Sequence, residues 1–167
     1  LFRSVCVLVA RAFNRVYDLK LTVRGEMELA YQGEITTPSR CGRMDQGCAY
    51  GERPIRMTFD GDRIDVDELA VGGDIHMVVV DLHAAKDTRE ILSRLNHCYP
   101  FAEDETARRV QRYLGEMNLE TVGEAVRLLR SGDAAGLGAL MRRAQERFNA
   151  HVAPACPAQL TAPALHR

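Results

Sequence analysis

Apolar and polar positions divide the chain into a helical opening, a polar middle and a long helical second half. From Val5 to Tyr17 almost every residue is apolar, with Arg11, Asn14 and Arg15 on one side, which predicts a mostly buried helix. Asp18 to Thr22 interrupts it, and a second helix is expected from about Val23 to Gln32, with Met27, Ala30 and Tyr31 on one face. Residues 33–53 are punctuated by Gly33, Pro38, Gly42, Gly47 and Gly51, which is loop chemistry with a short helix starting near Met44. Ile55, Met57 and Phe59, then Ile64 and Val66, alternate with polar residues on either side of Asp60-Gly61-Asp62, the pattern of a β-hairpin.

After Gly72-Gly73 the run Ile75 to Val80 is β-branched and nearly continuous, so it reads as a central strand buried on both faces. Helices follow. Asp87 and Glu90 form a capping box ahead of Ile91, Leu92 and Leu95; Ala107, Val110, Leu114 and Met117 keep helical spacing; Thr121 and Glu124 form a second box. Asp133 is placed to cap a helix striped by Leu137, Leu140, Met141, Ala144 and Phe148. The fold class is therefore α+β, with a boundary near Gly72-Gly73. Three strands are few for a sheet with a buried centre, which implies further strands outside this chain.

Composition narrows the function. The 167 residues carry 22 Lys+Arg against 23 Asp+Glu, a net charge of −1, without the basic excess of a nucleic-acid binder. No apolar run approaches the ~18 residues of a membrane span, and no signal-peptide pattern is present, so a cytoplasmic protein without membrane attachment is expected. Five cysteines without a CxxC pair fit reduced thiols, Cys6 and Cys98 packing as small apolar residues. Convergence of Cys41, Cys48, His97 and Cys98 on a metal would lack the close ligand pairs of structural zinc. The chain starts at Leu1 and ends at Arg167 just after Ala164-Leu165, and reads as an excerpt of something longer.

The chemistry is concentrated in Gly33 to Gly51. Asp45, beside Arg43 and near a helix start, would be held ionised by the helix N-terminus and the guanidinium, and could accept the proton of a substrate hydroxyl during phosphoryl transfer. Glu34, at a helix end, could reach a Mg²⁺ carried on nucleotide phosphates. The competing structural reading makes Asp45 an N-cap and Glu34 a solvated helix end. His83 and His97 are weaker acid/base candidates, and Arg108-Arg109 and Arg142-Arg143 read as solvated helix faces.

The segment Cys41-Gly42-Arg43-Met44-Asp45-Gln46 resembles the Pro-Cys-Gly-Ile-Met-Asp-Gln segment of galactokinases, within the GHMP kinase superfamily. Pro38-Ser39 followed by Asp45 is similar, with an insertion, to the Pro-Ser-Gly-x-Asp of mevalonate kinases, and Glu34 stands eleven positions before Asp45, as that family's magnesium-binding glutamate does. The resemblance implies an ATP- and Mg²⁺-dependent kinase for a sugar or other alcohol. Asp45 and Arg43 would be catalytic, Glu34 a metal ligand, and Gly42 and Gln46 substrate contacts. It implies an incomplete two-domain architecture. Residues 1–72 would be part of an N-terminal domain like ribosomal protein S5, and 73–167 part of a helix-rich ferredoxin-like C-terminal domain. The family's Gly-Leu-Ser-Ser-Ser-Ala phosphate loop is replaced by Leu1-Phe-Arg-Ser4, of which Ser4 alone could be a remnant in cofactor binding, so the isolated chain is expected not to bind ATP well. Two other readings stand beside this one: a non-catalytic relative that binds a sugar or a partner, and a helical protein-interaction module.

Overall fold

The computed structural model describes residues 2–37, 42–81, 83 and 86–161, and of residues 2–4 the backbone alone. Ser4 is in the first turn of a helix, with its side chain outside the description; Pro38, Ser39 and Cys41 also lie outside it. The chain divides into two compact units, Leu1–Ala70 and Val71–Arg167.

In the first unit, α1 (Phe2–Val16) packs on α2 (Val23–Ile35), and a 3₁₀ turn (Asp45–Tyr50) lies against both. Thr22 caps α2 by accepting from the Gly25 N–H. The core is Val7, Ala10, Met27, Ala30 and Ala49, bordered by Cys6, Val23, Tyr50, Met57 and Val66. β1 (Ile55–Asp60) and β2 (Arg63–Glu68) form the expected antiparallel hairpin, with Met57 opposite Val66 and Phe59 opposite Ile64. Its two-residue loop is Gly61-Asp62, and Gly61 takes the positive φ of 57° that such a loop demands. Gly47 lets the 3₁₀ turn approach this hairpin: a Cβ there would stand 3.0 Å from Ile55 Cδ1 and 3.2 Å from Met57 Sδ.

α1 is not the mostly buried helix that its composition suggested. Val7 and Ala10 are buried and Arg11 and Asn14 half-buried, whereas Val5, Leu8, Val9, Phe13 and Val16 are exposed. The rotation follows from a polar group on α2. The Glu26 carboxylate is buried, and α1 turns Arg11 and Asn14 toward it; leaving that carboxylate unpaired would cost more than exposing a few apolar side chains.

The second unit is helical: α3 (Thr88–Asn96), α4 (Glu105–Arg112) running through a π turn (Tyr113–Met117) into α5 (Asn118–Ser131), then α6 (Ala134–His151) and the short α7 (Pro157–Leu160). Asp87, Asp104 and Asp133 cap α3, α4 and α6 through their carboxylates. Gln159 of α7 accepts from the Asp87 N–H and donates to Glu90, tying α7 to the start of α3. Val152, Ala153, Cys156 and Leu160 form one core with Ile91, Leu95, Tyr113 and Phe148; Cys98, Ala107 and Val110 form another.

Two expectations fail here. Ile75 to Val80 is not a buried central strand. It is extended chain with no ladder partner among the described residues, and Val78 and Val79 are 91% and 93% exposed. The β-branched run was read as burial, but a strand is buried only where neighbours pair with it, and the described sheet has two strands, β1 and β2. Thr121 does not open a helix either. It lies inside α5, with its hydroxyl donating to the Met117 carbonyl four residues back. The fold is helix-rich α+β, and no helix among the described residues is long and apolar enough to cross a membrane.

Candidate functional site

The residues singled out in the loop assemble around the last turn of α2 and the 3₁₀ turn. Glu34 is not a solvated helix end: it is 7% exposed. Gln46, fully buried, donates from Nε2 to Glu34 Oε2 in a short hydrogen bond, while its Oε1 has no hydrogen-bond partner. Asp45, half-buried, begins the 3₁₀ turn, immediately before Gln46. Met44, not Asp45, occupies the N-cap position, and its side chain makes no capping hydrogen bond. Thr37 reinforces the end of α2, its hydroxyl and N–H both donating to the Glu34 carbonyl.

Arg43 reaches into α2 and the hairpin loop. Its guanidinium lies 4.5 Å over the Tyr31 ring, contacts Glu28 Oε1 at 3.4 Å and donates to the Asp62 carbonyl at 3.3 Å, while Nε is buried without a partner. Glu28 and Tyr31 are three apart on α2, so both meet the guanidinium from one helix face. Gly42 is exposed, with open space where a Cβ would stand.

Beneath this turn runs a polar network that the periodicity did not reveal. Arg11 donates from Nε to Glu26 Oε2 at 2.8 Å and from Nη2 to the Ala49 carbonyl at 2.6 Å. Asn14 donates to Glu26 Oε1 at 2.9 Å and to the Leu21 carbonyl, and accepts from the Leu21 N–H. Burial pushes the Glu26 carboxyl up, but hydrogen bonds from Asn14 and Arg11, with the charges of Arg11 and Arg15, outweigh it and hold the group below the usual glutamate range. One buried carboxylate thus joins α1, α2 and the 3₁₀ turn. The available signal was that Arg11 and Asn14 share a helical face with Val7 and Ala10, whereas Val5, Leu8, Val9, Ala12, Phe13 and Val16 form an entirely uncharged face of their own.

The described residues hold no preformed all-protein cage for a cation. Glu34 offers one buried carboxylate with an oxygen already engaged by Gln46, and no group of three potential ligands occurs among the described residues. The second unit holds a cavity of about 490 Å³ lined by Arg94, His97, Cys98, Glu103 and Asp104, among others. Burial, with the Asp104 charge adding, pushes the Cys98 thiol up, so it is no ready nucleophile. His97 is exposed, its Nδ1 2.6 Å from the Ser93 carbonyl, and His83 is exposed beside Asp81. Arg108 and Arg109 pair with Glu105, and Arg143 with Glu124, on exposed faces.

Compared with family models, with curated proteins and with solved structures, the chain matches none.

Proposed function

We propose that this chain carries the acceptor-hydroxyl half of a GHMP-type small-molecule kinase, with a sugar as the acceptor. The observation that carries the reading is the Gln46–Glu34 hydrogen bond, which anchors the turn bearing Asp45 to the end of α2. Glu34 is thereby bonded to the residue that directly follows Asp45. The resemblance of residues 41–46 to the galactokinase segment supports the same reading.

In this reading the Asp45 carboxylate accepts a hydrogen bond from the sugar hydroxyl and orients it toward the phosphoryl donor. As the new O–P bond forms and the donor's bridging P–O bond breaks, the hydroxyl proton passes to Asp45. Gln46 and Glu34 position that carboxylate by fixing its turn. The phosphoryl donor, ATP, would supply the transferred group and its magnesium, and no step is routed through either.

Calorimetric titration of the 167-residue chain with a panel of hexoses and polyols, with Mg-ATP as comparison, tests this. The expected result is sugar binding that weakens at least tenfold in Asp45→Asn, with Mg-ATP binding weak or absent. Absence of binding to every sugar at millimolar concentration, or equal binding by the variant, overturns it.

A further inference from the structure

The uncharged face of α1 is a continuous exposed apolar stripe among the described residues of the first unit. Val5, Leu8, Val9, Ala12, Phe13 and Val16 recur at helical spacing, with Tyr17 extending the stripe, and Arg15 borders it without entering it. The opposite face is committed to α2 through Val7 and Ala10 and to the buried Glu26 through Arg11 and Asn14, so the helix cannot roll to hide the stripe without breaking the network. An apolar patch of this size marks an interaction surface.

We infer that this face is a self-association surface, occupied by α1 of a second copy of this chain packed antiparallel about a two-fold axis. Three features favour that occupant. The exposed parts of Val5, Leu8, Val9, Phe13, Val16 and Tyr17 amount to about 600–700 Å² per copy, the most that the pairing could bury and somewhat below the ~800 Å² per partner of a standard interface. The stripe is self-complementary: with the axis between residues 10 and 11, Val5 lies opposite Val16, Leu8 opposite Phe13, and Val9 opposite the small Ala12, which lets the helices approach closely. Charge does not oppose the pairing. The two Arg15 side chains fall at opposite ends, their backbones separated along the axis by about 13 Å, beyond the Debye length at physiological salt.

A membrane surface is the less favoured occupant. Interfacial helices present a basic polar face to anionic headgroups, whereas here the polar face is buried in the unit, Asp18 and Lys20 pair with each other, and the chain's net charge is −1. The inference is independent of the acceptor site, since it uses none of Glu34, Asp45 or Gln46.

Sedimentation velocity of the full chain from about 1 to 100 µM tests it, run beside Leu8→Glu, Phe13→Glu and, as an apolar exposed control in the second unit, Met141→Glu. The expected result is a dimer for the wild type and Met141→Glu, with the dimer dissociation constant raised at least 100-fold in Leu8→Glu and Phe13→Glu. Circular dichroism of the variants checks that helix content is retained, as it should be for side chains outside the core. A wild-type monomer at 100 µM overturns the inference, as does a dimer that survives both α1 substitutions. Co-sedimentation with phosphatidylserine vesicles by a chain that remains monomeric in solution also overturns it, assigning the face to lipid.

Discussion

Gln46 donates its side-chain amide to the carboxylate of Glu34, and through that bond the 3₁₀ turn carrying Asp45 is fastened to the last turn of α2. Both side chains are buried, so the bond satisfies polar groups withdrawn from water. Gln46→Leu should therefore destabilise the first unit by about 1–3 kcal/mol, since it removes a buried donor to the Glu34 carboxylate while keeping the volume. Glu34→Gln, which keeps an acceptor for the same amide, should cost less. Urea unfolding monitored through the first unit checks the order; equal losses would mean that the bond does not hold the turn.

Glu26 makes stability depend on pH. Its carboxyl is held below the usual range in the folded chain, so it favours the folded state above the unfolded glutamate pKa, and that contribution is lost as pH falls through the folded value. Denaturation midpoints should fall on acidification below about pH 4.5. Glu26→Gln should be less stable than the wild type at neutral pH and lose less on acidification. Parallel pH profiles for the two proteins would refute the assignment.

Gly72 and Gly132 meet backbone to backbone at the end of α5. A Cβ on Gly72 would stand 2.2 Å from the Arg130 carbonyl oxygen, and the Gly72 N–H donates to the Leu129 carbonyl. Gly72→Ala should cost about 3 kcal/mol, the upper end of overpacking, because the obstruction is backbone that cannot give way. Gly132, at φ 70°, should cost about 1–2 kcal/mol as alanine. Gly138, inside α6 with open space around it, should instead gain about 0.5–1 kcal/mol as alanine. Thermal melts of the three variants rank them directly.

The extended run from Ile75 to Val80 combines β-branched side chains, an unpaired backbone among the described residues and high exposure. Such a segment templates intermolecular strand pairing. Val78→Lys and Val79→Lys should slow aggregation, measured by light scattering on heating, and shift the unfolding midpoint by no more than about 0.5 kcal/mol.

What the sequence made legible was local. The hairpin, the Asp87 and Asp133 caps and the helices after residue 87 each depend on residues a few positions apart. The errors lay in tertiary context. The apolar length of α1 concealed which face turns inward, because that choice is made by Glu26, twelve residues beyond Asn14. The run at 75–80 has the composition of a buried strand, yet burial requires neighbours that periodicity cannot supply. Thr121 carries a capping pattern, but the π turn continues the helix past it. At the candidate site, Glu34, Arg43, Asp45 and Gln46 were named from the loop. The burial of Glu34 and Gln46 was not visible, nor was the seating of Arg43 on Tyr31 and Glu28.

The most direct test of the acceptor-site account is a ¹H–¹⁵N correlation spectrum of the chain titrated with the best-binding sugar of the panel. The account predicts saturable shifts centred on the amides of Asp45, Gln46 and Gly47, lost in Asp45→Asn while the rest of the spectrum is retained. Shifts centred on the second unit, or shifts at residues 45–47 that persist in Asp45→Asn, would contradict it.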